Sequence, residues 1–264
     1  MPRERGVSTE LYERSSIDSQ ALVDEALRIV WRLEEVANGR KRTFPPLIDA
    51  VFVFSGPGTI YHKLKPGQEE WMRWMDRDRI RAGRAIVAEV TSARLAERRG
   101  RLTRADEITV DDIRTSGPLF VYNGIPIENT MLRQALLTQE GRLPPENVVI
   151  IDQVEADGGT RPIRHTADQV RSFYQNQANP QSPLYGVKHV ALVAHIPHFV
   201  RIPFYTRKYD DEHIARGHEG LNFWAYALRS RRGAQEPYVQ TELHKLLAYA
   251  DLGHLAREPV IFST

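Results

Sequence analysis

Four short, almost wholly apolar segments constrain the fold of this 264-residue chain more than any other feature. Each ends in, or is directly followed by, a small or polar residue, and the stretches between them carry apolar residues at helical spacing. Strands that are apolar on both faces are typical of parallel sheets covered by helices on both sides. The pattern therefore predicts an α/β fold, a doubly wound and mostly parallel Rossmann-like sheet. The four segments are LIDAVFVF (47–54), PLFVYNG (118–124), NVVIIDQ (147–153) and HVALVAH (189–195).

Helices are expected before, between and after these strands. Apolar residues recur at helical spacing from Asp18 to Gly39, which can end a helix. We therefore divide the chain into an N-terminal arm and helix (1–46) and one α/β domain (47–264). The domain has a core over about 47–207 and a C-terminal extension over 208–264. The other predicted elements are helices over Trp71 to about Leu95 with a break near Gly83, over Ile127–Gln139 and over Thr166–Gln177, then a strand (221–229) and a closing helix (238–253).

Composition argues against several classes of function. The chain has no cysteine, which removes disulfides, thiolate nucleophiles and zinc–cysteine sites. The formal net charge is only +2, and the arginine-rich stretch 94–104 contains Glu97, so we expect a solvated helix face and no nucleic-acid partner. No apolar run is long enough to cross a bilayer, and the N-terminus lacks an apolar leader. We therefore expect a cytoplasmic protein without a membrane span.

Residues that directly follow the predicted strands are the candidate ligand contacts. In open parallel sheets, ligands bind outside the carboxyl ends of the strands, where the strand order reverses. Four strands would deliver small or polar residues to that one edge. These are Ser55, Gly56, Gly58 and Thr59 after the first strand, Asn123, Gly124 and Glu128 after the second, Asp152 after the third, and His195 and His198 after the fourth.

Several of these residues have a structural reading beside the functional one. The turn SGPGT (55–59) can bring backbone amides close to an anion, or it can be a tight turn that needs glycine. Glu128 either stabilises a helix start through the helix dipole or binds a hydroxyl and acts as a base. Asp152 either accepts a hydroxyl or caps a turn. Thr166, three residues before Gln169, is expected to be an N-cap in a capping box.

The segment IPHFVR (196–201) carries the strongest functional signal. Pro197 suits the first turn of a helix, so His198 and Arg201 would lie on one face near its N-terminus. Such a helix end, with histidine and arginine, suits phosphate, sulfate or carboxylate, and the histidine can exchange protons near neutral pH. His195 is the weaker candidate, a strand-end residue that can simply bond a turn. No metal site is predicted, because the other histidines lack ligand spacing.

The order of these segments resembles the YdcF/SanA/ElyC-like family of bacterial Rossmann-like proteins over about residues 47–207. The segments are DAVFVFSGPGT, DRIRAGRAIV, PLFVYNGIPIENTML, LPPENVVIID, HTADQV and VALVAHIPHFVR. The resemblance implies S-adenosylmethionine as a ligand, as for some members of the family. It points to Gly56, Gly58, Gly124, Glu128, Asp152, Thr166, His198 and Arg201.

We therefore expect an enzyme, a transferase rather than a hydrolase, that binds an anionic, nucleotide-like or phosphorylated small molecule. His198 would be the acid–base group or an anion ligand, and Arg201 the charge clamp. Glu128 and Asp152 would be the other catalytic residues, as ligands of hydroxyls or amines. S-adenosylmethionine, a nucleotide and a divalent metal ion all stay open as cofactors, and so does a homo-oligomer.

Two alternatives stay open beside this expectation. The first is a phosphoester hydrolase that uses the same pocket. The second is a non-catalytic protein that binds a metabolite or docks a partner, with exposed aromatic and basic surface from RIPFYTRKYDD (201–211) and LNFWAYALRSRR (221–232).

Overall fold

The computed structural model describes residues 19–38, 44–56, 68–126 except 101–103, 128–130, 132–133, 143–230 and 235–263. Seven strands and six α-helices lie in these residues. The strands are β1 (Ala50–Phe54), β2 (Leu119–Asn123), β3 (Val148–Ile150), β4 (Gln153–Ala156), β5 (Gly159–Pro162), β6 (His189–His195) and β7 (Asn222–Leu228). The helices are α1 (Ser19–Asn38), α2 (Gln68–Arg99), α3 (Val110–Ser116), α4 (Thr166–Ala178), α5 (Ile202–Ala215) and α6 (Gln235–Asp251).

Five of the strands form one parallel sheet in the order β3-β2-β1-β6-β7. All five residues of β1 are buried, as expected for a strand covered on both faces. Helices α2 and α3 pack on one face of the sheet, with Ile86, Val90 and Ile113 against Val51 and Val53. Helices α1, α4, α5 and α6 pack on the other face. The doubly wound α/β fold predicted from the sequence is confirmed.

The chain after β3 differs from the prediction. β3 ends at Ile150, and the polar insertion that follows forms an antiparallel hairpin of β4 and β5. Its turn contains Gly158 and Gly159 at φ of 96° and 114°, a conformation that suits glycine. The Asp157-Gly158 dipeptide is the sequence signal for this hairpin. Helix α3 was likewise not predicted.

Helix α2 runs without a break through Gly83, so the expected interruption there is wrong. A Cβ at Gly83 would lie 2.5 Å from Val53 Cγ2 and 2.9 Å from Phe120 Cε2. The glycine therefore lets α2 approach β1 and β2 closely. The helix predicted over Thr166–Gln177 is confirmed as α4, whereas most of the helix predicted over Ile127–Gln139 lies outside the described residues.

Arg94 shows that the basic stretch 94–104 is not simply a solvated helix face. Its guanidinium donates hydrogen bonds to the carbonyl oxygens of Pro46 (2.6 Å), Ile48 (2.7 Å) and Ser116 (3.0 Å). The Arg94 side chain thus links α2 to the segment that precedes β1 and to the C-terminal end of α3.

Segment 201–211 also differs from the expected exposed surface, because Phe204 and Tyr205 are buried in the core. None of the helices in the described part of the chain has the length and apolar character needed to span a membrane.

Candidate functional site

The strand order reverses between β1 and β6. From β1 the chain proceeds outward to β2 and β3, and it then returns to the other side of β1 to form β6 and β7. The two strands are paired up to Val53 and Val193, so their carboxyl ends lie side by side. This is the position at which open α/β sheets bind ligands. We call it the β1/β6 crevice; Ser55 and Gly56 follow β1 there, and residues 195–198 end and follow β6.

Helix α4 links the carboxyl ends of β1 and β2 through Gln169. Its Nε2 donates to Ser55 Oγ and to the carbonyl oxygen of Asn123 (2.7 Å). The amide of Asn123 in turn donates to the carbonyl oxygen of Gln169 (2.6 Å) and to Ser172 Oγ (3.0 Å). Asn123 Oδ1 is buried and has no hydrogen-bond partner among the described residues. Ser55 and Asn123 therefore lie at the same edge of the sheet, as predicted. Gln169 of α4, a helix that comes later in the sequence, links them.

The predicted capping box at Thr166 is wrong. The N-cap of α4 is His165, with extended backbone, and its side chain makes no capping hydrogen bond. Thr166 is the first helical residue and is buried. Gln169 cannot complete a capping box because its amide is bonded to Ser55 and Asn123.

A second polar network joins the carboxyl ends of β2 and β3. Asn129 Oδ1 accepts from the N–H of Gly124 (2.7 Å), and Asn129 Nδ2 donates to Ile151 O (3.1 Å) and Asp152 Oδ1 (2.8 Å). Arg133 pairs with Asp152 at 2.6 Å. Burial raises the pKa of Asp152, but hydrogen bonds from Arg133 and Asn129 outweigh it and lower the pKa below its usual value. Asp152 is thus an ionised group with protein partners.

Glu128 is bonded to the backbone three residues before it in the chain. Its Oε2 accepts from the N–H of Ile125 at 3.1 Å, and the side chain is buried. A Cβ at Gly124 would lie 2.6 Å from that same oxygen. The glycine therefore makes room for the carboxylate, and the contact matches the structural reading of Glu128.

His198 lies in the 3-10 helix Ile196–Val200, directly after β6. Its ring packs against Tyr238 with centroids 5.7 Å apart, and its buried Nδ1 has no hydrogen-bond partner among the described residues. Burial, and then the positive charges of Arg79 and Arg201, hold the pKa of His198 well below its usual value. The imidazole is therefore neutral at pH 7. His195, fully buried at the end of β6, also contributes to this shift.

Arg201 does not share a helix face with His198. It stands between the 3-10 helix and α5, so the single proline-started helix predicted over 196–201 is wrong. Its Nε and Nη2 both lie 2.6 Å from Glu242 Oε2, and Lys245 lies 2.7 Å from Oε1 of that fully buried carboxylate. Burial lowers the pKa of Arg201, but Glu242 outweighs it and raises the pKa. Arg201 is thus half of a buried ion pair.

Arg79 is a site residue that the motif-by-motif interpretation missed. It is fully buried on α2, and its Nη1 donates to the carbonyl oxygen of Phe54, the last residue of β1 (2.9 Å). Its charge also acts on His198. The sequence signal was an arginine one helical turn before Gly83, on the face that approaches the sheet.

Two predicted ligand contacts, Gly58 and Thr59, lie outside the described residues, whereas Gly56 is partly buried at the crevice. In the described ranges, no group of three or more acidic or histidine side chains could hold a metal ion. No protein-family model matches the chain, and no match was found among curated proteins or solved structures. Membership of the YdcF/SanA/ElyC-like family therefore stays a prediction.

Proposed function

We propose that the protein binds a phosphate-bearing small molecule, of the nucleotide or sugar-phosphate class, in the β1/β6 crevice. It transfers a group from this molecule to an acceptor hydroxyl or amine: the bond to the acceptor forms, the bond to the rest of the donor breaks, and the rest of the donor leaves. His198 is the proton acceptor. One observation carries the proposal: a buried, neutral imidazole, whose Nδ1 has no hydrogen-bond partner among the described residues, lies at the reversal of strand order, next to positively charged groups.

The electrostatic field at His198 favours an anionic ligand. The charged groups that lower its pKa are Arg79, Arg201 and Lys245. Glu242 offsets part of this charge through its bonds to Arg201 and Lys245. A phosphate group is attracted by such a field, whereas the sulfonium of S-adenosylmethionine is repelled. The positive field therefore supports a phosphate ester as the ligand over S-adenosylmethionine, which the family resemblance implies.

Phosphate binding and proton transfer are coupled in this geometry. A neutral imidazole can take a proton from the hydroxyl or amine that attacks the transferred group. The imidazolium formed is disfavoured by burial and by the neighbouring cations, as the depressed pKa shows. A bound phosphate adds compensating negative charge and raises that pKa. His198 therefore becomes an effective base only when the ligand is present.

Glu128 and Asp152 take structural roles in this proposal. Glu128 is bonded to the backbone of Ile125, and Asp152 is bonded to Asn129 and Arg133. Both residues hold the β2/β3 end of the sheet edge in place. The catalytic proton transfer is assigned to His198 alone.

A binding experiment tests this function. Calorimetric titrations at pH 7.5 with AMP, ATP, glucose 6-phosphate and S-adenosylmethionine compare the natural protein with His198→Gln and His244→Gln. His244 is the matched control, an exposed histidine on α6. We expect at least one phosphate compound to bind, with roughly tenfold or greater loss in His198→Gln and no loss in His244→Gln. Binding of S-adenosylmethionine alone, or equal affinity in His198→Gln, contradicts the proposal.

Turnover separates transfer from its alternatives. Incubating the bound phosphate compound with alcohol or amine acceptors should give a transferred product that His198→Gln fails to form. Release of inorganic phosphate without an acceptor would assign hydrolysis instead, and binding without turnover would assign a metabolite-binding protein.

A further inference from the structure

A cavity of about 360 Å³ lies at the opposite side of β6 from β1, along the outer edge of β7. Its walls are one side of α1, strand β7 at Trp224 and Ala225, Phe44, and the C-terminal segment 259–263. The volume falls in the range of about 300–1,000 Å³ that is usual for small-molecule sites. None of its lining residues belongs to the β1/β6 crevice.

The path of the C-terminal segment explains why this cavity forms. Near one end, the N–H of Val260 donates to Pro203 O at 3.2 Å. At the other end, Ser263 pairs with Trp224 as a short parallel bridge, and its N–H donates to Phe223 O at 2.8 Å. Between these two attachments the segment bridges the space in front of α1, and Ile261 is 87% exposed. The segment therefore covers the outer edge of β7 and leaves a cavity between itself and α1.

The lining combines an apolar interior with one available positive charge. Ile29, Leu33, Trp224 and Phe262 are among its apolar walls. Among the described residues that line it, Glu25 and Arg32 are the charged ones.

The two charges differ in their partners. Glu25 is already paired with Arg28 at 2.8 Å. Arg32 is exposed, and it makes no hydrogen bond or ion pair with any described residue. The exposed guanidinium of Arg32 therefore suits an anion, and the apolar lining suits a hydrocarbon.

We propose that this cavity binds a single-chain amphipathic carboxylate, a medium-chain fatty acid. The alkyl chain lies between Ile29 and Trp224, and the carboxylate pairs with Arg32. Because every methylene removed from water favours binding, the tail supplies most of the affinity. The guanidinium supplies the discrimination between a carboxylate and an uncharged head group.

Calorimetry with the full chain tests the two halves of this proposal. Dodecanoate and dodecanol share a tail and differ in charge; both are used below the concentrations at which they aggregate. Dodecanoate should bind about tenfold or more tightly than dodecanol. Arg32→Gln should remove that preference, and Arg77→Gln, at an exposed arginine of α2, should retain it. Equal binding of the two compounds, or an unchanged preference in Arg32→Gln, overturns the proposal.

A second variant tests the cavity itself. Ala225→Phe fills the space between β7 and α1 and should abolish dodecanoate binding while the circular dichroism spectrum stays native. Retained binding in a folded Ala225→Phe protein overturns the proposal. A ligand-free dimer that this substitution dissociates also overturns it, because a second copy would then cover the face. His198→Gln should leave dodecanoate binding unchanged, which keeps this site separate from the proposed function.

Discussion

The two halves of the sheet's carboxyl edge use polar residues in opposite ways. At the β2/β3 end, Gly124, Asn129, Asp152 and Arg133 bond to one another in a continuous chain. At the β1/β6 end, His198 has a buried ring nitrogen that no described residue bonds, and it lies in a field of positive charge. In the first half, these four residues use their polar groups to hold the loops in place. The second half has hydrogen-bonding capacity left for a ligand.

This difference shows why position after a strand is not enough to assign a function. Parallel strands bring all their carboxyl ends to one edge, so every polar residue there is a candidate. Only the partners of each side chain separate a structural group from a ligand contact. Stability should therefore respond most at the bonded residues, and binding should respond most at His198.

The largest stability effect is expected at Glu242, which fixes Arg201 beside the crevice. Glu242→Gln leaves a buried guanidinium without its counter-charge and should lower the free energy of unfolding by about 3–5 kcal/mol. Urea denaturation measures it. Glu258→Gln, at an exposed glutamate, serves as the control and should change stability by less than about 0.5 kcal/mol. Equal stability of both variants contradicts a buried ion pair at Arg201.

The next effect is expected at Asn129, the centre of the β2/β3 network. Asn129→Ala leaves the N–H of Gly124 and the carbonyl of Ile151 without their partner and should cost about 2–3 kcal/mol. Affinity for the phosphate ligand should stay within about twofold, because the crevice lies at the other end. The exposed Asn222→Ala is the control for stability. A large loss of ligand affinity in Asn129→Ala would erase the distinction between the two halves.

A smaller effect is expected at Gly83, which seats α2 and Arg79 against the sheet. Alanine favours a helix over glycine by about 1 kcal/mol, but its Cβ would collide with Val53 and Phe120. We expect Gly83→Ala to be destabilising by about 1–2 kcal/mol and to weaken ligand binding by shifting Arg79. The reciprocal Ala85→Gly, at an exposed position of α2, should lose about 1 kcal/mol without any change in binding. A more stable Gly83→Ala protein would show that α2 can move away freely.

The pH dependence of stability should separate the two halves as well. His198 has a lowered pKa in the folded state, so below about pH 6.5 the unfolded chain takes up the proton more readily. The free energy of unfolding should therefore decrease as the pH is lowered. The slope from one such group approaches about 1.4 kcal/mol per pH unit. His198→Gln should therefore reduce the slope between pH 6.5 and 5. His213, with a pKa lowered to about 4, leaves part of the slope in place.

Asp152 should act in a different pH window. Its lowered pKa contributes stability above the usual value near 3.8, which is lost as the pH falls through the folded-state pKa. Asp152→Asn should therefore change the acid limb only, by a small amount because the carboxylate and Arg133 are 45% and 44% exposed. Unfolding curves measured from pH 7.5 to 3 for both variants check this assignment.

The sequence sufficed for the parallel sheet because strand and turn signals are local. Apolar runs such as AVFVF and VALVA predict inner strands wherever they lie, and the residues after them must meet at one edge. The edge itself, with Ser55, Asn123 and His198, was therefore predictable. The hairpin of β4 and β5 was missed although its Asp157-Gly158 signal is just as local.

Side-chain partners could not be read in the same way, because they depend on contacts between distant parts of the chain. Arg201 pairs with Glu242, 41 residues later, and Gln169 bonds Ser55, 114 residues earlier. A histidine and an arginine three residues apart looked like one anion clamp. In the structure, however, a new helix starts at Ile202, and Arg201 pairs with the buried carboxylate of Glu242. Arg201 and His198 therefore do not form one clamp.

The most direct test is nuclear magnetic resonance of the histidine side chains during titration with AMP. The imidazole ¹⁵N signals of His198 and of the control His244 are followed from pH 5 to 8, with and without the nucleotide. We expect His198 to be neutral at pH 7 without ligand, its Nδ1 signal to shift on binding and its pKa to rise, whereas the signals of His244 should not respond to the nucleotide. Unchanged His198 signals at a concentration of AMP that saturates binding would contradict it.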